Sequence, residues 1–539
     1  MKKNIQLQLL PSEVSNAAII RSHISEAIGE KESRVNGFNI IKRSIDARSR
    51  QPKIILTVEA FIDEPFQPRT IQTIHFPDTG KSLHSVIIVG AGPAGLFAAL
   101  RLIQCGIRPI IIERGKNVRA RRRDLALLNK EGQINPESNY CFGEGGAGTY
   151  SDGKLYTRST KRGSVERILN LFVQFGADEN ILSEAHPHIG TNKLPSIISA
   201  MREQIETSGG KLLFEKKLSA LLIENNQIVS VTSSDGDTLP AQAVILATGH
   251  SARDIFHLLD HHKILIEAKP FALGVRIEHP QELIDSVQYH KVPGNVTGKD
   301  QWSFLPPASY SLVEQINERG VFSFCMCPGG IIAPASTSPG ELVVNGWSPS
   351  KRNNPFANSG IVVNIEEKDL NAFSKFGALA GVHFQAEVEK KAYELGGGKF
   401  VAPAQRMADF VDNRLSADLP SCSYLPGIHS TSIKKVLPHF VGESLAKAFK
   451  TFGKKLKGYY TNEAVIVATE SRTSSPVRIP RDHEKLHHPQ VLNLFPCGEG
   501  AGYAGGIVSA AMDGEKIANA IAKKFGQPIP PAIDKNHSF

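Results

Sequence analysis

The chain has 539 residues, of which 41% are hydrophobic and 21% are charged, and its formal net charge is +9. This length is too great for one hydrophobic core, so the sequence predicts two to four domains. The longest apolar run, 86–103, contains glycines, a proline and an arginine. These residues argue against a membrane-spanning helix and favour a buried strand, turn and helix.

The positive charge raises the question of a nucleic-acid partner. The densest basic stretch runs from Arg114 to Arg123. No aromatic residues interleave with it, as they do in platforms that stack single-stranded bases. Long chains also carry this much charge as a dispersed, solvated surface. The sequence therefore argues against nucleic acid as a partner.

The six cysteines are spread over the whole chain, and only Cys325 and Cys327 lie close together in sequence. This spacing predicts a reducing compartment, with no disulfide framework and no metal site. The N-terminal Met-Lys-Lys is followed by the polar alternation Asn-Ile-Gln-Leu-Gln. That alternation interrupts any signal-peptide core, so a cytoplasmic location is expected.

The first 82 residues predict a small α+β module. Alternation and helical spacing indicate the order strand, helix, strand, strand, at residues 3–9, 12–29, 38–46 and 53–62. This βαββ order favours a ferredoxin-like module. The proline-containing stretch 63–81 is expected to be a linker.

A glycine motif in a βαβ context follows, in "SVIIVGAGPAGLFAALRLIQCGIRPIIIERG". Gly90 allows the tight turn after the strand, Gly92 lets the backbone reach a pyrophosphate, and Gly95 lets the helix touch the strand. Glu113, which ends the second strand, is placed to accept the ribose hydroxyls. The helix N-terminus attracts the phosphates. The candidate cofactor-binding residues of this motif also include Pro93, Ala94 and Arg114.

A second glycine cluster, "CFGEGGAGTYSDGK", occupies 141–154 without a flanking apolar strand. One interpretation is a second backbone cradle around the same ligand, formed by Gly145 and Gly146, with Ser151 bonded to phosphate or flavin. The alternative is a flexible surface loop. The composition does not choose between them.

The remaining segments predict a discontinuous domain. Three strands are expected within 209–249, ending in Thr248 and Gly249, which also belong to the candidate cofactor site. His250 and Arg253 follow, either as phosphate contacts or as residues at a helix start. Residues 264–461 differ in composition, with scattered proline-rich turns, and predict an inserted mixed α/β substrate domain. The Rossmann-type domain is then assembled from 83–263 and 462–539, with strands expected at 464–468 and 492–495.

These motifs resemble those of glutathione-reductase-like flavoproteins, and most closely a set of uncharacterised bacterial FAD-dependent dehydrogenases. The matching stretches are "RSIDAR", "FGEGGAGTYSDGKL", "CMCPGG", "ESRTSSPVRIP" and "CGEGAGYAGGI". The resemblance implies an α/β fold with FAD as cofactor. It implies that the glycines of the first motif hold the pyrophosphate, Glu113 the adenosine ribose, and Glu499 the ribityl chain, where this superfamily commonly has Asp. Thr248 and Gly249 would pass beside the dinucleotide.

The C-terminal glycines would fold tightly around the ribityl chain and the flavin. The helix that follows would point its N-terminus at the pyrimidine edge, where reduction places negative charge. The candidate cofactor-binding residues of this stretch are Gly498, Glu499, Gly500, Gly505, Gly506 and Ile507.

Four residues are candidates for catalysis. Arg472 can clamp a carboxylate or stabilise flavin charge with its forked donors, and a surface arginine is the alternative. Arg276 is a candidate for facing substrate. Cys325 and Cys327 would share a strand face, either as a redox pair or as buried thiols. No CxxC adjoins the first glycine motif, as the dithiol reductases of this superfamily would show.

The sequence therefore predicts an FAD-dependent oxidoreductase that transfers a hydride through flavin N5 to or from a small organic substrate. No second GxGxxG follows a predicted strand, so a separate NAD(P)H domain is not expected. NAD(P)H visiting the flavin transiently and the substrate itself are both open as the electron donor. The alternatives are a flavoprotein that modifies tRNA and a non-catalytic flavin-binding regulator.

Overall fold

The computed structural model describes residues 1–157, 163–290 and 301–531. The chain is a mixed α/β protein with a small N-terminal sheet and two larger sheets. Among the described residues, none of the helices combines the length and the apolarity that a bilayer-crossing segment needs.

The N-terminal elements are β1 (Lys2–Leu9), α1 (Ala17–Ile28), β2 (Val35–Asp46) and β3 (Lys53–Ile62). β3 lies between β1 and β2 and is antiparallel to both. Ile20 and Ile24 of α1 pack on alternate residues of β3, including Leu56 and Val58. The helix begins five residues later than the sequence predicts, because the Asn16 side chain caps its N-terminus. The ferredoxin-like assignment of 1–82 stays a prediction.

The second group of elements surrounds the glycine motifs. It comprises β4 (Ser85–Val89), α2 (Pro93–Gln104), β5 (Arg108–Ile112), α3 (Val118–Glu131), α4 (Val165–Gln174), α5 (Leu194–Thr207), β6 (Lys211–Leu213), β7 (Leu218–Glu224), β8 (Gln227–Ser233), β9 (Thr238–Pro240), β10 (Val244–Leu246) and α6 (Arg253–His261).

The third group comprises β11 (Glu267–Ala268), β12 (Phe271–Pro280), α7 (Gln281–Gln288), β13 (Val313–Ile316), β14 (Arg319–Cys327), β15 (Ile331–Pro334), β16 (Val344–Trp347), β17 (Phe356–Ile365), α8 (Ala380–Gly396), β18 (Ala402–Arg406), α9 (Met407–Val411), β19 (Ile428–Ser430), α10 (Ile433–Val436), α11 (His439–Lys455), β20 (Val465–Glu470), β21 (Val477–Arg478), β22 (Leu494–Pro496) and α12 (Ile507–Lys524).

A parallel five-stranded sheet, in the order β22-β10-β4-β5-β6, carries the glycine motifs. The continuous apolar strands that the sequence shows are those of a sheet covered on both faces. Helices α2 and α12 pack directly on each other. Their contact is close because Gly514 has no side chain: a Cβ there would lie 2.2 Å from the Ala94 carbonyl oxygen.

A seven-stranded sheet, in the order β13-β14-β17-β12-β20-β18-β19, forms the second large unit, which we call the cap. The predicted return to the Rossmann-type domain at residue 462 is wrong for the first strand after it. β20 lies between β12 and β18 in the cap, not in the parallel sheet. Every residue of β20 is buried. A strand without polar alternation carries no signal for which sheet it joins.

Candidate functional site

The first glycine turn joins β4 to α2. Gly90 has φ +105°, and a Cβ there would lie 2.5 Å from the Ala247 carbonyl oxygen. A Cβ at Gly95 would lie 2.0 Å from the Gly90 carbonyl oxygen. Gly92 is different, because a Cβ there would meet nothing nearer than the Gly146 Cα, 3.9 Å away. Gly90 and Gly95 are thus required because a side chain there would collide with the backbone, whereas Gly92 faces open space.

The N-terminus of α2 has no side-chain cap. Its first turn therefore presents amide N–H groups without partners inside the helix, together with about half a positive charge. The sequence places Pro93 and Ala94 at the start of this helix, beside Gly92. This combination of an uncapped helix and an open glycine is suited to an anionic group such as a pyrophosphate.

Glu113 links the first two glycine segments. Its buried carboxylate accepts hydrogen bonds from the backbone N–H groups of Ala91 at 2.8 Å, Gly115 at 2.9 Å and Gly143 at 3.0 Å. The sequence predicts a ribose contact for this side chain. The structure shows in addition that it anchors both glycine segments.

The second glycine cluster lies against the first. Gly145 donates its N–H to the Ala91 carbonyl at 2.8 Å. A Cβ at Gly146 would lie 3.1 Å from the Gly92 Cα, and one at Gly148 would lie 3.3 Å from Pro93 and 3.5 Å from Ile507. Residues 142–145 are buried. The alternative of an exposed surface loop is therefore wrong.

Arg121 holds the second cluster in place. It is fully buried, and its guanidinium donates to the carbonyl groups of Asn139 at 2.8 Å, Tyr140 at 2.9 Å and Glu144 at 2.8 Å. The basic stretch in the sequence is thus partly internal. Sequence reasoning missed this role, since Arg121 stands in the chain as one arginine among five.

Ser151 and Arg114 have protein partners. The Ser151 hydroxyl donates to the Gly148 carbonyl at 2.8 Å and accepts from the Gly153 N–H at 3.0 Å. Arg114 forms ion pairs with Glu137 at 2.7 Å and Asp254 at 2.8 Å. Both therefore shape the site through the protein itself, and the cofactor contacts predicted for them remain predictions.

The C-terminal glycines form the third part of the site. A Cβ at Gly500 would lie 2.4 Å from the carbonyl oxygen of Gly249, so the segments 248–249 and 498–500 touch. Gly505 and Gly506 would meet no atom within 4 Å. Helix α12 then begins at Ile507 without a side-chain cap. A second open helix N-terminus thus lies beside the loop 146–148.

Asp513 supports this third segment. Its carboxylate accepts the Gly498 N–H at 2.8 Å and pairs with Arg481 at 2.7 Å, and the Arg481 guanidinium lies 3.7 Å from the centroid of the Tyr503 ring. Neither Asp513 nor Arg481 was predicted. Glu499 is partly exposed, and its Oε1 lies 3.7 Å from Nδ1 of His250.

Arg472 belongs to a buried ion cluster, which we define as Arg253, Arg472, Glu341 and Glu389. Glu389 is fully buried and pairs with Arg472 at 2.8 Å and Arg253 at 2.8 Å. Glu341 lies 3.2 Å from each arginine. Desolvation opposes the charge on Glu389, but the two arginines outweigh it and lower the pKa of this carboxyl to about 2.

The ion cluster joins the two units, because Arg253 begins α6 beside the parallel sheet and Glu389 lies on α8 of the cap. The Arg472 guanidinium also donates to the Thr337 hydroxyl at 2.6 Å. The surface-arginine alternative is therefore wrong. All the guanidinium nitrogens of Arg472 already have protein acceptors, so a role in positioning the cap fits it better than clamping a substrate carboxylate.

Arg276 is also fully buried. It donates to the Asn358 side chain at 2.9 Å, to Glu470 at 2.9 Å and to the Cys325 carbonyl at 2.6 Å. A Cβ at Gly346 of the overlying β15–β16 hairpin would lie 2.2 Å from its guanidinium. Arg276 therefore lies beneath the hairpin and does not face open space.

Cys325 and Cys327 do not share a strand face, contrary to the prediction. The pairing of β14 with β17 shifts register between Phe324 and Cys327, and Cys325 has φ +45°. This bulge turns the two side chains apart, so that Cys325 is exposed while Cys327 is buried. Both are free thiols.

The three glycine segments together fit FAD. Two uncapped helix N-termini flank one glycine loop, and each favours negative charge by ~0.3–1 kcal/mol, or up to ~2 kcal/mol when partly buried. A flavin dinucleotide has negative charge at its pyrophosphate and, when reduced, at its pyrimidine edge. Within the described residues, no group of three or more His, Cys, Asp or Glu side chains is arranged to hold a metal ion.

Comparison with known families supports this cofactor. Residues 84–258 match the family described as pyridine nucleotide-disulphide oxidoreductase, and residues 270–473 match that described as FAD-dependent protein, C-terminal domain-like. Residues 1–61 match a domain of unknown function. The second match ends beyond β20, which agrees with the place of that strand in the cap.

A solved structure, the glycerol-3-phosphate dehydrogenase of Bacillus halodurans complexed with FAD, matches with 9% identity and a TM-score of 0.34 over 84% of this chain and 68% of that one. The thiamine thiazole synthase of Aeropyrum pernix is 28% identical over 188 residues, which is 32% of this chain and 57% of that protein.

An uncharacterized protein of Clostridium beijerinckii is 38% identical over 530 residues, which is 95% of this chain and 97% of that protein. This similarity extends over the N-terminal module, the parallel sheet and the cap. The chain therefore belongs to the family of this protein, with FAD as its cofactor and oxidoreductase-type domains around it.

Proposed function

We propose that the protein is a dehydrogenase or reductase that exchanges a hydride between flavin N5 and a small organic substrate, with NAD(P)H or the substrate as electron donor. The observation that carries this proposal is the meeting of the two open helix N-termini at the loop 146–148. Each N-terminus suits one charged part of a flavin dinucleotide. The cap then provides a second wall for a substrate.

Each segment has its own part in holding the cofactor. Gly92 and the first amides of α2 would hold the pyrophosphate, and Glu113 the adenosine ribose. Thr248 and Gly249 would lie beside the dinucleotide, and Glu499 would bind the ribityl chain. Gly505, Gly506 and Ile507 would face the pyrimidine edge of the flavin. FAD supplies the two-electron chemistry when bound.

The protein contributes orientation and charge to this chemistry. The N-terminus of α12 favours negative charge near it, which makes a reduced, anionic flavin easier to form. A gain of 1.36 kcal/mol corresponds to one pKa unit, so the ~0.3–2 kcal/mol of a helix N-terminus is a measurable part of a redox potential. The ion cluster connects the cap to the unit that contains the parallel sheet.

The experiment is an anaerobic reduction of the purified protein. Absorption bands at about 370 and about 450 nm are expected of the oxidised flavin. We expect the band at longer wavelength to bleach with NADH, NADPH or a metabolite, and to recover with an acceptor. A flavin that dithionite bleaches but no organic donor bleaches would contradict the dehydrogenase assignment. Dithionite is thus the control for a redox-competent cofactor.

A further inference from the structure

The positive charge of the chain is concentrated in one segment of the cap. Residues 434–457 contain seven lysines and one glutamate, and neither arginine nor aspartate. This short segment therefore carries a formal charge of +6, against +9 for the whole chain. The charge is thus localised and not dispersed over the surface.

Most of this segment is the amphipathic helix α11. Its apolar face, which includes Phe449, belongs to the hydrophobic core of the cap. Lys447, Lys450 and Lys454 are exposed and follow one another at intervals of three and four residues. Residues at these intervals lie on one face of a helix, so the three ammonium groups form a row on the outer surface. We call these three residues the lysine stripe.

The neighbouring carboxylates leave the lysine stripe uncompensated. Glu443 pairs with Lys434 at 2.8 Å, and Glu314 pairs with Lys455 at 2.9 Å. Each of these carboxylates thus has a cation outside the stripe as its partner. Within the part of the chain that the structure describes, the three lysines of the stripe form no ion pair. The stripe therefore presents positive charge that an anionic partner can neutralise.

The residue types of this surface favour lipid over nucleic acid as that partner. Nucleic-acid sites use the planar fork of arginine for phosphates and exposed aromatic rings for bases. The segment has no arginine. The aromatic rings of α11 are also occupied: Phe449 and Phe452 are buried, and the Arg319 guanidinium covers the ring of Phe440, 4.5 Å from its centroid. A cluster of lysines on an amphipathic helix is instead typical of proteins that bind anionic headgroups.

An exposed apolar side chain lies beside the basic helix. Val313 is 60% exposed, and its carbonyl accepts a hydrogen bond from the Lys455 ammonium at 2.7 Å. The headgroup layer of a bilayer accepts an apolar side chain of this kind next to bound lysines. Helix α11 itself has no free apolar face to insert, because that face is packed in the cap. Attachment would therefore be mainly electrostatic and reversible.

We propose that the lysine stripe docks the protein on the surface of an anionic phospholipid bilayer, with the cap towards the lipid. The protein would lie on the bilayer without crossing it. The proposal goes beyond the proposed function and does not depend on it, since docking needs no electron transfer.

The experiment is co-sedimentation of the FAD-loaded protein with vesicles of equal parts phosphatidylglycerol and phosphatidylcholine. We expect binding to these vesicles and none to vesicles of phosphatidylcholine alone. Raising the NaCl concentration from ~0.1 M to ~1 M shortens the Debye length from ~10 Å to ~3 Å and should release the protein. Absence of binding, equal binding to the neutral vesicles, or binding that salt leaves unchanged would each overturn the proposal.

A triple variant tests the lysine stripe itself, with Lys447→Gln, Lys450→Gln and Lys454→Gln. We expect its affinity for the anionic vesicles to fall about 100-fold, because each lysine near such a surface contributes roughly fivefold. The matched control has the same net charge and replaces three exposed lysines outside the cap: Lys211→Gln, Lys263→Gln and Lys523→Gln. It should bind as wild type. Melting temperatures and flavin absorbance verify that both variants are folded.

Two further outcomes would overturn the proposal. Equal losses of affinity in the two triple variants would assign the binding to net charge and not to the stripe. Binding of poly(U) that is lost in the stripe variant, without binding to vesicles, would assign the stripe to RNA.

Discussion

Gly92→Asp is expected to remove flavin from the protein without unfolding it. A Cβ at this position has room, with its nearest neighbour 3.9 Å away. Aspartate is also a good N-cap, so α2 should be as stable as before or slightly more stable. Its carboxylate would occupy the place proposed for the pyrophosphate and repel it by roughly 4 kcal/mol at 4 Å near a protein surface. We expect FAD affinity to fall by at least about 100-fold.

The measurement is the flavin content after reconstitution, together with the melting temperature of the apoproteins. Gly442→Ala is a control of the same residue type, because its Cβ would meet nothing nearer than 3.5 Å and lies in α11 of the cap. Gly95→Ala should differ from both by losing flavin and stability together, since its Cβ would collide with the Gly90 carbonyl. A Gly92→Asp protein that keeps stoichiometric flavin would contradict our placement of the pyrophosphate.

Arg472→Met is expected to lower the free energy of unfolding by about 3–5 kcal/mol, because it removes one partner of a fully buried carboxylate. Glu389 would keep Arg253 and the Ser471 hydroxyl, the latter at 2.6 Å. Urea denaturation measures the change. Arg472→Lys should lie between wild type and Arg472→Met, since it keeps the charge but loses the forked contact.

Arg414→Met is the matched control for this substitution. Its side chain is 62% exposed and pairs with Asp409 and Asp412. Exposed pairs of this kind contribute ~0–1 kcal/mol, so this variant should unfold close to wild type. Equal stability of Arg414→Met and Arg472→Met would show that the ion cluster does not hold the cap.

Wild type and Arg472→Met should also differ in how their stability responds to acid. The folded-state pKa of Glu389 is lowered to about 2 from the ordinary carboxyl value of 4.5. The stability that this carboxylate contributes is therefore present above pH 4.5 and is lost as the pH falls towards 2. Without Arg472 the folded-state pKa rises, so Arg472→Met should lose less stability than wild type over this interval. A steeper loss in the variant would reverse the sign and refute the assignment.

The parts of the site that could be predicted are those with a local signal. The first glycine motif lies between two apolar strands, and its expected βαβ unit is present as β4, α2 and β5. Gly90 and Gly95 each need the absence of a side chain, for reasons of turn and packing that the spacing already implies. The FAD prediction is confirmed by the family matches of residues 84–258 and 270–473.

The parts that could not be predicted depend on contacts between distant segments. Three charged residues act in this way: Arg121 donates to backbone carbonyl groups, Asp513 accepts from a backbone amide, and Arg481 pairs with Asp513. The sequence around a single charged residue does not indicate whether that residue is buried or solvated. The bulge at Cys325 and Cys327 arises from pairing with β17, and no glycine at that point of the sequence indicates it. Every residue of β20 is buried, so its sequence has no polar alternation that would indicate which of the two large sheets it joins.

Hydrogen–deuterium exchange of the apoprotein and the FAD-loaded protein tests most directly whether the two glycine turns hold one dinucleotide. The first amides of α2 and α12, including Ala94, Gly95, Ile507 and Val508, have no partners within their helices, so a ligand that accepts their hydrogen bonds should add protection beyond that of the apoprotein. We predict that FAD slows exchange in both helix starts together and to a similar extent. Protection of one helix start with no change in the other would contradict the account.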